Sequence, residues 1–317
     1  MKISNQVIPK IKVLVIVGPT AVGKTSLSIE LALALNGEII SADSRYLYRG
    51  MDIGTAKPTK SEQRGVPHHL IDVANPDEVW SLAKFQREVY RLIKEIHQRG
   101  KLPIIVGGTG QYIRAVTQGW TPPEIKPHPE IRKVLESWAE EIGTEGLHQK
   151  LSLLDSAAAE NIDHRNLRRT IRALEVILLS GKRFSDQRQT AGVFFQPIQI
   201  GLEQPRDVLY RKIDFRIEEM FTAGFADEVK LLLNNGYAKS LPSMSAIGYR
   251  EVADYLDGSI SFDECIARIK RATRVYVRRQ ANWFKKEDPQ IYWFDPGQDP
   301  PDRLLASIKT YLENPTE

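Results

Sequence analysis

Only one cysteine, Cys265, occurs among the 317 residues, and that scarcity removes two classes of protein at once. A lone thiol closes no internal disulfide and supplies no multi-cysteine metal site, so disulfide-stapled scaffolds and zinc ribbons are both excluded. Cys265 reads instead as a partly buried helix residue in a reducing compartment. No stretch reaches the roughly 18 uninterrupted apolar residues of a membrane span. The short apolar run near the N-terminus leads directly into a glycine turn, where a signal peptide would carry its cleavage site. The expectation is a cytoplasmic protein with no membrane partner. Net charge is also low, since 44 Lys and Arg against 40 Asp and Glu leave +4, and that sum alone points to no nucleic-acid partner. Internal repeats and low-complexity segments are missing. His68 and His69 have no third ligand at metal spacing, which argues against a metal site there.

What is present begins with Gly18-Pro19-Thr20-Ala21-Val22-Gly23-Lys24-Thr25, a fit to G-x-x-x-x-G-K-[ST] at every fixed position. A glycine-rich turn lets successive backbone N–H groups converge on phosphate oxygens, and the helix that follows adds the positive end of its dipole. Lys24 would reach the outer phosphates, and the Thr25 hydroxyl a Mg²⁺ ion. The flanks suit the motif: Val13 to Val17 is a continuous apolar run of the kind found in buried parallel strands, and Leu27, Leu31 and Ala34 follow at helical spacing.

Further strands are expected at residues 38–42, at 68–73 and at 101–106, with a helix over 83–99 between the last two. Strands alternating with helices predict an α/β, P-loop NTPase-like core with a mostly parallel sheet. Ligands in such sheets sit at the carboxyl ends of strands. The loop, the Asp43 region and the turn Gly107-Gly108-Thr109-Gly110 therefore share one rim. From about Gln111 to Gly181 the pattern is helical without strands, and strand character returns at residues 193–202. The predicted organisation is the first part of the core over 1–112, an all-helical insertion over 113–192, the core resumed with basic helices over 193–288, and a C-terminal tail over 289–317 that packs only partly.

Asp43 follows the second strand and suits a base, a Mg²⁺ ligand or a helix N-cap; Asp52 and Asp72 compete for the same role. Thr109 suits either a ligand contact or a turn that caps the next helix. Arg206, Arg211 and Arg216 recur every five residues, and each is a candidate to swing to a diphosphate or to remain a surface charge. Between Arg268 and Lys286 there are eight basic side chains and no acidic one. Ile266, Ile269, Thr273, Tyr276 and Phe284 fall on one side of that helix, and Arg268, Arg271, Arg274 and Arg278 on the other. A basic face without acids suits RNA or another polyanion. A second cluster holds Arg165, Arg168, Arg169 and Arg172.

Taken together, these motifs resemble the tRNA dimethylallyltransferases, also called tRNA isopentenyltransferases. Beyond the phosphate loop, the resemblance rests on residues 41–44 (Ser-Ala-Asp-Ser), 48–58 (Tyr-Arg-Gly-Met-Asp-Ile-Gly-Thr-Ala-Lys-Pro), 66–72, 107–110, 172–176, 246–251 and 270–274. It implies transfer of a dimethylallyl group from its diphosphate to N6 of the tRNA adenosine next to the anticodon on its 3′ side, with Mg²⁺. By the same resemblance Asp43 is the general base, Thr109 a contact to the same nucleotide, and Arg216 a diphosphate-side arginine. Lys24 joins them in catalysis. Ser44, Arg45, Tyr46, Arg132, Arg250 and the segment Arg168, Arg169, Thr170, Ile171, Arg172 are implied contacts to the tRNA anticodon arm. The chain departs from the family at His164-Arg165-Asn166, where Pro-Asn-Asp is common. The target base is expected to leave its stack, at a cost of a few kcal/mol, and the protein to act as a monomer. The alternatives are an adenylate isopentenyltransferase, a P-loop small-molecule kinase and a nucleotide-gated RNA-binding protein. The helical insertion and basic helix disfavour the first. The second and third would need a strand ending in a Mg²⁺-binding Asp, whereas Ile104-Ile105-Val106 ends in glycines.

Overall fold

A computed structural model of the chain describes residues 10–313 apart from 122, 124, 188 and 191. It divides into two compact units, Gln118–Gly192 and the residues on either side of that segment. The larger unit opens with β1 (Ile11–Val17), α1 (Lys24–Ala34), β2 (Gly37–Ser41), β3 (His68–His69), α2 (Leu82–Gln98), β4 (Leu102–Val106) and α3 (Gly110–Thr117). The inserted unit carries β5 (Trp120–Thr121), α4 (Pro129–Leu154), α5 (Ser156–Glu160), α6 (Leu167–Ser180) and β6 (Gln189–Thr190). The larger unit then resumes with β7 (Phe195–Leu202), α7 (Arg206–Thr222), α8 (Phe225–Asn234), α9 (Tyr249–Leu256), α10 (Phe262–Trp283), β8 (Ile291–Phe294) and α11 (Pro301–Glu313).

The sheet of the larger unit runs β3-β2-β4-β1-β7-β8, and every pairing in it is parallel. Val13 to Val17 have no exposed surface, as a strand covered on both faces requires. β1 lies between β4 and β7, with Leu14 opposite both Ile104 and Ile198. Chain order reverses at β1, so the loop after it sits where open α/β sheets bind ligands. Two close approaches fix the neighbouring strand ends. A Cβ on Gly37 would meet Ile104 at 2.6 Å, and one on Gly107 would meet the Ala42 carbonyl oxygen at 2.5 Å.

Two expectations need correction, one in the third strand and one in the insertion. The third strand stops at His69, because Leu70 and Asp72 take positive φ values of 60° and 54° that no strand sustains. The insertion is not all-helical, since β5 and β6 pair as a short antiparallel ribbon, and α3 belongs to the larger unit. Gly224, at φ 96°, separates α7 from α8, a break not foreseen. The tail, where it is described, adds β8 as a parallel strand beside β7 and α11, which buries Leu304 and Ile308 while most of its other residues stay half-buried or exposed. The inserted unit has its own core around Leu135, Leu147, Leu151, Ile171 and Leu174. Among the described residues no helix is long and apolar enough to cross a membrane.

Candidate active site

The phosphate loop leaves β1 through Gly18, whose φ of 146° and proximity to β7 exclude a side chain: a Cβ there would lie 2.6 Å from the Leu202 carbonyl oxygen. Gly23, at φ 102°, turns the chain into α1. No side chain caps that helix and its first turn holds no acid, so its leading N–H groups are left for an anion. The loop opens on a cleft of about 960 Å³. Lys24, Thr25, Asp43, Gly107, Gly108, Arg216, Tyr276 and Gln280 all line it.

Lys24 is walled in by the surrounding protein yet keeps some surface open to the cleft, and its Nζ donates to the Pro19 carbonyl at 2.6 Å. Burial lowers its pKa to about 8; the Asp43 charge opposes that shift and Arg216 adds to it. Arg216, on α7, donates to Thr20 Oγ1 at 3.3 Å. Three of the predicted groups, Lys24, Asp43 and Arg216, are thus electrostatically coupled across one cleft.

Asp43 closes a turn, as a cap would, by accepting the Arg45 N–H at 2.9 Å through Oδ1, and it also lines the cleft. Its two competitors are engaged elsewhere. Lys57 Nζ, buried, donates to Asp52 Oδ1 at 2.5 Å, to Asp72 Oδ1 at 2.6 Å and to the Tyr48 carbonyl at 2.7 Å. Tyr46 donates to the Ala56 carbonyl at 2.7 Å, with Thr25 as a further hydrogen-bonding neighbour. Burial first, and then the Asp43 charge, hold the Tyr46 phenol far above its ordinary pKa and push Tyr276 up to about 12. Asp43 is therefore surrounded by phenols that keep their protons. Thr109 precedes α3 and accepts the Ile113 N–H with its carbonyl, while its side chain neighbours the Tyr276 hydroxyl.

Sequence reasoning missed Gln280. Buried on α10, it accepts the Thr20 N–H at 2.9 Å and donates to the Gly108 carbonyl at 3.0 Å, tying the phosphate loop to the β4 turn. The available signal was a polar residue on the stripe that Cys265, Ile269 and Val277 bury. His68 and His69 are structural: His69 joins Arg99 and Lys101 around buried Glu38, and His68 hydrogen-bonds the Val66 carbonyl at 2.8 Å.

The basic helix differs from its sequence picture. Three of its cations find acids outside the helix: Arg274 pairs with Asp214 at 2.6 Å and lies over Tyr210, Lys270 pairs with Glu218 at 2.9 Å, and Lys286, just beyond its end, pairs with Glu203. Arg268 pairs with Glu264 one turn earlier. Arg271 and Arg278 remain exposed, as does Arg250 on α9. Arg45 is anchored to the Pro242 and Ser243 carbonyls and to Ser245, and Ser44 is half-buried beside it. Within the inserted unit, Glu175 has no exposed surface and holds Arg132 and Arg172 at 2.9 Å and 2.6 Å. Arg168 and Arg169 are exposed, whereas Thr170 and Ile171 are buried within that unit and offer RNA little side-chain surface.

A glycine phosphate loop at the switch point of a parallel sheet, facing a carboxylate and two cations across one cleft, defines a P-loop NTPase-like protein built around a polyphosphate. The IPP transferase family model matches residues 46–287, and the chain belongs to that family of prenyl-transferring enzymes. A tRNA dimethylallyltransferase of Roseiflexus sp. strain RS-1 is 52% identical over 276 residues, 87% of this chain and 90% of its own. Another from Halalkalibacterium halodurans is 44% identical over 311 residues, 97% of this chain and 98% of its own. Among solved structures, the full-length tRNA isopentenylpyrophosphate transferase of Bacillus halodurans superposes with a TM-score of 0.71 at 44% identity, covering 96% of each chain. A eukaryotic dimethylallyltransferase acting on tRNA gives 0.82 at 28% identity, covering 96% of this chain and 80% of its own.

Proposed function

We propose that the protein transfers a dimethylallyl group from dimethylallyl diphosphate to N6 of the adenosine adjacent to the anticodon, on its 3′ side, in tRNA, releasing diphosphate. The observation that carries this reading is the cleft itself, in which Asp43 stands opposite Lys24 and Arg216 beside the phosphate loop. An allylic carbon departs from its diphosphate with cationic character, so the leaving group gains charge as the bond breaks. The loop N–H groups of residues 18–25, Lys24 and Arg216 are placed to take up that charge. An exocyclic aromatic amine is a weak nucleophile, and the Asp43 carboxylate orients it and accepts its proton, a contribution of about 10²–10⁴-fold. Thr109 holds the same nucleotide.

Mg²⁺ fits the oxygen donors at hand. Among the described residues no group of three or more His, Cys, Asp or Glu gathers at metal distance, so the ion would be held by the Thr25 hydroxyl and the diphosphate oxygens. Bound there, it supplies positive charge beside the leaving group. We assign contacts with the anticodon arm to exposed Arg168 and Arg169 in the inserted unit and to exposed Arg250, Arg271 and Arg278 in the larger one, with Arg45, Arg132, Arg172 and Arg274 acting from their ion pairs and anchors. A monomer in the cytoplasm completes the proposal; buried Cys265, its thiol pushed up to about 11 by burial, offers no surface thiol for a disulfide to a second copy. The test is transfer from radiolabelled donor, offered tRNA and AMP in separate reactions: label is expected in tRNA, and label in AMP alone overturns the reading.

A further inference from the structure

The loop over residues 51–58 forms one wall of the cleft through Asp52, Ile53, Thr55, Ala56, Lys57 and Pro58. What holds that wall lies outside the cleft. Glu228, on α8, accepts the N–H of Asp52 at 2.8 Å and of Ile53 at 2.7 Å through Oε2, and the N–H of Gly54 at 3.2 Å through Oε1. The Tyr249 hydroxyl donates to the same Oε1 at 2.7 Å. Three successive backbone N–H groups converging on one carboxylate make an anion nest, filled here by a side chain of the same protein. Gly54 is required for the approach, because a Cβ there would lie 2.1 Å from the Phe225 ring. From the nest the path to the phosphate loop is short. Asp52 is held on Lys57, and the Ala56 carbonyl receives the hydroxyl of Tyr46, which neighbours Thr25.

We infer that Glu228 is a positioning residue for the donor: its carboxylate gathers the N–H groups of residues 52–54 and so fixes the wall against which the allylic diphosphate binds. The inference rests on reading the cleft as the donor site. It acts on donor affinity and leaves the tRNA-facing cations untouched.

The test uses the full chain with three variants, Glu228→Gln, Glu228→Asp and Tyr249→Phe. Binding of inorganic diphosphate in the presence of Mg²⁺ is followed by calorimetry, and KM is measured for dimethylallyl diphosphate and for tRNA. Removing the charge from an acceptor of several hydrogen bonds should weaken diphosphate binding and raise donor KM about tenfold in Glu228→Gln. Glu228→Asp should recover part of the loss, and tRNA KM should stay within about twofold of the wild type, since no RNA-facing charge changes. Tyr249→Phe keeps the carboxylate and loses one donor, so it should weaken diphosphate binding about threefold; it carries the test if Glu228→Gln does not fold. Diphosphate affinity unchanged in a folded variant, or equal rises in both KM values, overturns the inference. Because diphosphate binding is read without tRNA, a failure of transfer to tRNA counts against the functional reading alone.

Discussion

Lys24 holds its amine in a buried setting that disfavours the charge, and that gives the proposed donor site a pH signature. Burial lowers its pKa to about 8, so the empty site holds an ammonium below that pH and a neutral amine above it. On the proposed reading, diphosphate pairs with the ammonium form. Donor kcat/KM is therefore expected to be flat up to about pH 8 and then to fall toward tenfold per unit, in a profile measured at saturating tRNA; a flat profile to pH 10 would count against the role of Lys24. Stability runs in the opposite sense. The folded pKa lies below the ordinary value of 10.5, so the unfolded chain binds more protons between the two, and the contribution of this group to stability rises with pH across that window. Asp43 is the second test at this scale. Asp43→Ala should lower transfer about 10²–10⁴-fold while filter binding shows tRNA affinity nearly intact; a large loss of affinity would make Asp43 a binding residue.

The helix pair α7 and α10 shows how far an element can be read from its own sequence. The helical period of α10 and its basic face were legible, as were the phosphate loop, β1, β2, β4 and the return to the sheet at β7. The compensation of that face was not, because Asp214 and Glu218 lie more than fifty residues earlier and no spacing rule links them to Arg274 and Lys270. The same limit applies to Lys57, which takes Asp52 and Asp72 out of competition with Asp43 through contacts that only the folded loop creates. β8 was missed because its four residues, Ile291 to Phe294, follow a charged, proline-containing segment and carry no alternation of their own. The arginines of α10 now separate by role. Arg274→Ala leaves Asp214 without its partner and should lower stability by about 1–3 kcal/mol in chemical denaturation, whereas exposed Arg271→Ala should leave stability unchanged and reduce the salt slope of tRNA binding by about one. Equal effects on both readouts would undo that division.

At the scale of the whole molecule, +4 is the small difference between 44 basic and 40 acidic side chains, and the two compact units each hold a buried carboxylate satisfied by basic side chains. In the larger unit Glu38 is penalised by burial, but Arg99, His69 and Lys101 outweigh that and bring it to about 2. Its stabilisation is complete above the ordinary carboxylate pKa and is lost as pH falls toward about 2. In the inserted unit burial likewise opposes the charge on Glu175, and Arg132, Arg172 and the His128 N–H together hold it below the carboxylate range. Glu175→Ala removes the shared partner of two arginines and should destabilise that unit by about 3–5 kcal/mol, read as a lower-temperature calorimetric transition with diphosphate binding unchanged; a single unshifted transition would show that the cluster contributes nothing. The central claim concerns the reaction that the family, the cleft and the exposed cations jointly support. Its most direct measurement is mass spectrometry of nuclease-digested tRNA after incubation with the protein, dimethylallyl diphosphate and Mg²⁺. A dimethylallyl increment is expected on the adenosine next to the anticodon and on no other nucleoside; unmodified tRNA, or an increment at another position, would overturn the proposed reaction.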